Sequence, residues 1–181
     1  MQDKSHLQEF SATDINAPSV FLDLCTDFAF KRVFGTPGNE DLLLLLLDAI
    51  LPEKHIASVT LGPQEAESDR QELKSTISDI TCTSGDGEIF CVEMQLESKP
   101  NFSDRMVFYW AFHIRNQISR GIRSYELKPV YQIAILDFLL KSGTADGGDV
   151  INTYSILNRR EPHELFSNAL HFVTVELPKF Q

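Results

Sequence analysis

Asp79 and Glu93 are the residues from which a chemistry can be built. They stand in the stretch Ser78-Asp79-Ile80-Thr81-Cys82-Thr83-Ser84, then Gly85-Asp86-Gly87, then Glu88-Ile89-Phe90-Cys91-Val92-Glu93-Met94-Gln95. Two runs with β-branched and apolar alternation flank a Gly-Asp-Gly turn, which is a β-hairpin signal. With a three-residue loop, 85–87, and a glycine at the position needing positive φ, Ser84 faces Glu88 and Asp79 stands opposite Glu93. Opposed side chains on one face have Cβ atoms about 4.5–5.5 Å apart. Two carboxylates at that distance repel, and one has its pKa raised. A hard divalent cation between them removes the repulsion, because carboxylate oxygens are the ligands Mg²⁺ and Mn²⁺ prefer. Two alternatives stay open. A two-residue loop at 86–87 turns Asp79 toward Met94 and Cys82 toward Cys91, which separates the acids. The two acids can also be solvated residues on the wet face of an ordinary hairpin.

The elements that must position this pair come from a chain of 181 residues, a length that suits one domain with a sizeable core. A hydrophobic content of 43% and a charged content of 23% are ordinary globular values. The net charge of −10 argues against a broad electropositive surface for nucleic acid, but leaves room for a local basic groove. Three cysteines lack CxxC or metal spacing and read as reduced, buried residues of a cytoplasmic protein. The first twenty residues are polar and carry no signal peptide. Residues 1–18 read as a polar leader, and 19–181 as a single domain.

Phe21 to Phe34 is the first helical candidate. In it Asp27 and Lys31 are four apart, so on a helix they share a face; the plain reading is a surface ion pair over a core of Phe30, Val33 and Phe34. Gly35-Thr36-Pro37-Gly38 breaks the segment, and Asn39 or Thr36 can cap a second helix, 40–50. Leu42 through Leu47 is too short a run to span a bilayer, which needs about 20 residues; a helix apolar on all sides is usually buried, so this is expected to be core. Pro52 ends it. Residues 56–64 read as a strand, 64–74 as a charged link, and 77–84 with 88–96 as the hairpin. Ser103 is the expected cap of a helix running to about Arg120, with Gly121 after it. Its apolar residues include Val107, Phe108, Ala111, Phe112, Ile114 and Ile118, while Arg105, Tyr109 and Arg115 line another face. Residues 129–136 are nearly continuous apolar, as in a central strand buried on both sides. Ser142 to Asp149 reads as a loop, and 150–157 and 170–177 as two more strands. The order gives a mixed α/β sheet flanked by helices. The long helix before 130–136 would be a crossover that makes the strand of Glu93 and the next strand parallel.

A strand with one Asp, a turn, then a strand carrying Glu-x-Gln resembles the PD-(D/E)XK (restriction-endonuclease-like) nuclease superfamily. More closely, the chain resembles the Rpn-type recombination-promoting nucleases, also described as transposases. The resemblance rests on Asp27-Phe-Ala-Phe-Lys31-Arg-Val-Phe34-Gly35, Ser78-Asp79, Glu93-Met-Gln95, Asp104-Arg105 with Tyr109, Gly121, Leu127-Lys-Pro-Val130 and Val175-Glu-Leu-Pro-Lys-Phe180. These landmarks occur in the family's order over nearly the whole chain.

The resemblance implies a metal-dependent DNA endonuclease using Mg²⁺ or Mn²⁺, with DNA as partner, no membrane, and room for a homo-oligomer. Asp79 and Glu93 match the metal-binding acids, and the backbone carbonyl of Met94 can add a ligand. Gln95 stands where the wider superfamily usually has Lys. Gln cannot offer positive charge to a developing phosphorane, so Lys31, or else Arg105, would supply it. Asp27 would be an outer metal ligand or would orient Lys31, with Tyr109 in support. Family members commonly continue past the Glu-Leu-Pro-Lys-Phe segment into a helical region that this sequence lacks. The alternative is a nuclease-fold interaction or regulatory module without turnover. A small-molecule hydrolase finds no Gly-x-Ser-x-Gly or other nucleophile motif.

Overall fold

The computed structural model describes residues 23–62, 80–118, 126–140 and 148–180. Within them the chain forms three α-helices: α1 (Asp27–Phe34), α2 (Glu40–Ile50) and α3 (Phe102–Asn116). It also forms six strands: β1 (Val59–Leu61), β2 (Ile80–Ser84), β3 (Ile89–Gln95), β4 (Val130–Leu136), β5 (Ile151–Leu157) and β6 (Leu165–Glu176). The strands make one sheet in the order β1-β2-β3-β4-β6-β5. β4 runs parallel to both β3 and β6, and the other pairs are antiparallel. A parallel pair needs a crossover, and α3 lies in the one that joins β3 to β4. Every residue of β4 is buried, as the apolar run predicts for a central strand.

The two faces of the sheet are covered differently. On one face Ile80, Cys82, Phe90, Val92 and Ile133 form the main core with Phe30 of α1 and Leu43, Leu47 and Ile50 of α2. On the other, Ala134 and Leu136 pack with Phe102 and Met106 of α3. Polar groups lie buried on the α3 face or in α3 itself: Glu93, Gln132, Thr174, Glu176 and His113. No helix among the described residues is long and apolar enough to cross a membrane.

Several expected boundaries move, each for a local reason. α1 starts at Asp27, because the Thr26 side chain accepts a bond from the Ala29 N–H and caps it there. Asn39 stands at the N-cap of α2, but its side chain makes no capping bond; its Nδ2 donates to the Val33 carbonyl at 2.8 Å. The leucine run is not buried all round. Leu43 and Leu47 are in the core, but Leu42 and Leu45 are 43% and 67% exposed, because α2 lays only one side on the sheet. The first strand is shorter than expected and β6 longer, since β6 already pairs with β5 from Leu165, through a register irregularity. The 1–18 leader and the 64–74 link lie outside the described residues, as does most of the 142–149 loop.

α3 departs most. It begins at Phe102, after Asn101 in the left-handed region (φ +59°), so Ser103 lies inside the helix. It ends at Asn116, and Arg120 and Gly121 lie outside the described residues. Its buried side is Phe102, Met106, Tyr109 and His113, whereas Val107, Phe108 and Ala111 face outward. The sheet beneath is partly polar, so the helix turns its mixed polar and aromatic stripe toward it.

Burial pulls the His113 imidazole below its ordinary pKa, and His171 on β6 shifts the same way for the same leading reason. The folded state therefore resists a proton that the unfolded chain accepts near pH 6.5. Stability is full above that value, falls as pH drops through it, and levels off below the folded-state pKa. We expect the urea midpoint to fall between about pH 7.5 and about pH 5.5 (either side of the free imidazole value), and to fall less in His113→Gln. An unchanged drop in that variant would assign the effect to His171 or to carboxylates.

Candidate active site

The hairpin has the three-residue loop. The Ser84 N–H donates to the Glu88 carbonyl at 2.9 Å, and the Gly87 N–H donates back to the Ser84 carbonyl at 2.9 Å. Gly87 takes φ +83°, a conformation that glycine adopts without steric penalty. The ladder runs Ile80 opposite Val92 and Cys82 opposite Phe90. Ile80, Cys82, Phe90 and Val92 thus share the main core, with Met94 packed at its margin, as the expected register requires. The two-residue loop is excluded. Asp79, one position before β2, lies outside the described residues.

Glu93 faces the α3 side of the sheet, beside Ala134 of β4, and is 6% exposed. Arg105 comes down on it from α3. Arg105 Nη2 donates to Gln95 Oε1 at 2.7 Å and lies 3.9 Å from Glu93 Oε1. The guanidinium sits 5.9 Å from the ring centres of both Phe102 and Tyr109, which occupy the same side of the helix at helical spacing. Gln95 Nε2 donates to the Glu97 carbonyl at 3.1 Å, which fixes its amide. Its backbone carbonyl accepts from the Asp137 N–H at 3.0 Å, just past the end of β4. A buried acid, an amide and a cation therefore converge where β3 ends. Arg105 Nε has no hydrogen-bond partner among the described residues.

Asp27 and Lys31 form the expected pair across one turn of α1, 3.0 Å apart, with both side chains well exposed. Tight contact holds this helix against the hairpin. A Cβ on Gly35, the residue closing α1, would come within 3.2 Å of Ile80 Cγ1. The end of α1 thus abuts the residue that follows Asp79 in sequence. The structure joins Glu93, Gln95, Arg105 and Tyr109; Asp27 and Lys31 form a second group on the other layer.

The sequence reading used Val175-Glu-Leu-Pro-Lys-Phe180 only as a landmark and missed what it builds. Leu136 pairs with Gln95 on one side and Glu176 on the other, so Glu176 lies in the same row as Gln95. Its carboxylate, buried, accepts from Lys179 Nζ at 2.9 Å, the Leu140 N–H at 2.9 Å and Asn152 Nδ2 at 3.3 Å. Lys179 also donates to the Asp149 carbonyl at 3.1 Å. A Glu three residues before a Lys, at the end of an apolar strand, was the available signal.

The donors suit a hard cation. Glu93 and the Met94 carbonyl offer oxygen only, and no sulfur or imidazole stands in the cluster just described. Among the described residues no group of three or more His, Cys, Asp or Glu could hold a metal. A family model described as PD-(D/E)XK nuclease family transposase matches residues 24–181. Comparisons with curated proteins and with solved structures gave no significant match.

Proposed function

We propose, because this chain belongs to the PD-(D/E)XK nuclease family of transposases, that it is a metal-dependent endodeoxyribonuclease acting in recombination or transposition, of the Rpn type. The observation that carries this reading is the convergence of Arg105 on Glu93 and Gln95 in the three-residue-loop register. Continuing that ladder by one residue would set Asp79 opposite Glu93. Asp79, Glu93 and the Met94 carbonyl would then hold Mg²⁺ or Mn²⁺. When bound, such a cation supplies an activated water and neutralises charge on the phosphate.

The chain's own residues do the rest. Gln95 replaces the usual lysine and cannot carry its charge, but its amide can orient a water or a phosphate oxygen. Arg105 supplies a charge that no pH in the working range removes, in a planar fork suited to phosphate. Phe102 and Tyr109 hold that fork between them. Lys31, oriented by Asp27 on the other layer, is the second cation available to the DNA. With a net charge of −10, DNA is drawn to this chain only where such cations gather.

One observation favours a second reading, a module that binds metal without turnover: Gln95 stands where the catalytic lysine is usual. A plasmid-nicking assay with Mn²⁺ or Mg²⁺, run beside thermal melting, separates the two. A cation that binds only the folded state stabilises it by about 2.7 kcal/mol at a hundredfold excess over Kd. We expect Mn²⁺ to raise the melting temperature of the wild type and to leave Asp79→Asn nearly unmoved, with nicking only by the wild type. A rise without nicking supports the module. An equal rise in both proteins puts the metal elsewhere.

A further inference from the structure

We propose that the outward face of α3 is the seam of a homodimer, in which two copies of the helix pack antiparallel about a two-fold axis. The motivating observation is an inversion. The helix buries Tyr109 and His113 and turns Val107 and Phe108 to solvent, with Phe108 55% exposed. Asp104, Phe108, Ala111 and Arg115 are all exposed and follow one another at intervals of four, three and four residues. That is the spacing of a straight seam along a helix.

The occupant is read from the order of residues in the seam. Its ends are an acid and a base, and its middle is one large and one small apolar residue. Pairing with an antiparallel second copy sets Asp104 against the other copy's Arg115, twice. It also sets Phe108 against the other copy's Ala111, so a ring fills the space a small side chain leaves. A parallel pairing would put Asp104 on Asp104 and Phe108 on Phe108, a repulsion and a clash. Neither Asp104 nor Arg115 has an ion-pair partner among the described residues. The seam is therefore self-complementary in charge and size, which is what a two-fold interface demands. Its length, about 17 Å from Asp104 to Arg115, predicts a dimer that dissociates on dilution. Arg105 stays turned toward Glu93 and Tyr109 stays buried beside it, so this seam stands whether or not the nuclease reading does.

Sedimentation equilibrium of the 181-residue chain tests the proposal, with far-UV circular dichroism to establish folding of each variant. The wild type should show a monomer–dimer equilibrium. Phe108→Glu and Asp104→Arg should each raise the dissociation constant by about tenfold or more. Adding Arg115→Asp to Asp104→Arg should recover dimerisation, because the reversed charges again meet. Phe166→Glu, at the exposed end of the β5–β6 hairpin where Phe166 is 80% accessible, should change nothing. A monomer at every concentration overturns the proposal. So does a dimer lost with Phe166→Glu and kept with Phe108→Glu, or a charge-reversed pair that does not recover.

Discussion

Glu93→Gln is expected to abolish metal-dependent DNA cleavage. The substitution keeps the shape of the side chain and removes only its charge, at a site where 6% exposure leaves little water to compensate. Loss of a partner one shell out from a metal typically costs 10- to 100-fold in affinity or activity. Loss of a charged ligand itself should exceed that, so turnover should fall by more than about 100-fold. The same change removes a buried charge and keeps the side-chain volume, so the folded protein should survive. Plasmid nicking under saturating Mn²⁺, with melting as the control for folding, measures both. Cleavage within a few-fold of wild type would remove Glu93 from the chemistry, and the proposed metal site with it.

The second large effect falls on stability. Glu176→Ala should destabilise the fold by about 3–5 kcal/mol, the range for removing one member of a buried ion pair. Glu176 and Lys179 have side chains only 6% and 13% exposed. Without the carboxylate, Lys179 keeps, among the described residues, only the Asp149 carbonyl, the Leu140 N–H loses its acceptor, and Asn152 Nδ2 loses one of two. Glu176→Gln, which can still accept from Leu140, should cost less. Urea unfolding of the three proteins decides the matter: a loss below about 1 kcal/mol in Glu176→Ala, the median worth of a solvated pair, would mean that water replaces the lost contacts.

Legibility followed the rules that govern each element. The hairpin register could be read because Ile80, Cys82, Phe90 and Val92 must share one face, and a slip of one residue moves half of them out of the core. β4 could be read from its apolar run, and α2 from its bounding turns. The orientation of α3 could not. Periodicity predicts a helix there, but its apolar stripe is not the one that meets the sheet. The sheet face beneath carries Glu93, Gln132 and Thr174, which call for Arg105 and Tyr109 rather than for Val107 and Phe108. The start of β6 was hidden by Ser167 and Asn168, polar residues in a strand whose early part is not in the core. Arg105, the second candidate cation, is the one seen at Glu93, and Lys31 has a described ion pair with Asp27.

β4 takes both of its partners from distant parts of the chain. Pairing between sequence neighbours, as in the β2–β3 hairpin, closes a short loop and is fast; parallel pairing across a crossover must first close a long one and is slow. Arg105 lies within the crossover between β3 and β4. During folding the hairpin bearing Glu93 can therefore form early, while its cation arrives only when that crossover has closed. Competence at this site is then acquired late. A chain still leaving the ribosome would carry the acid but not the assembled cluster.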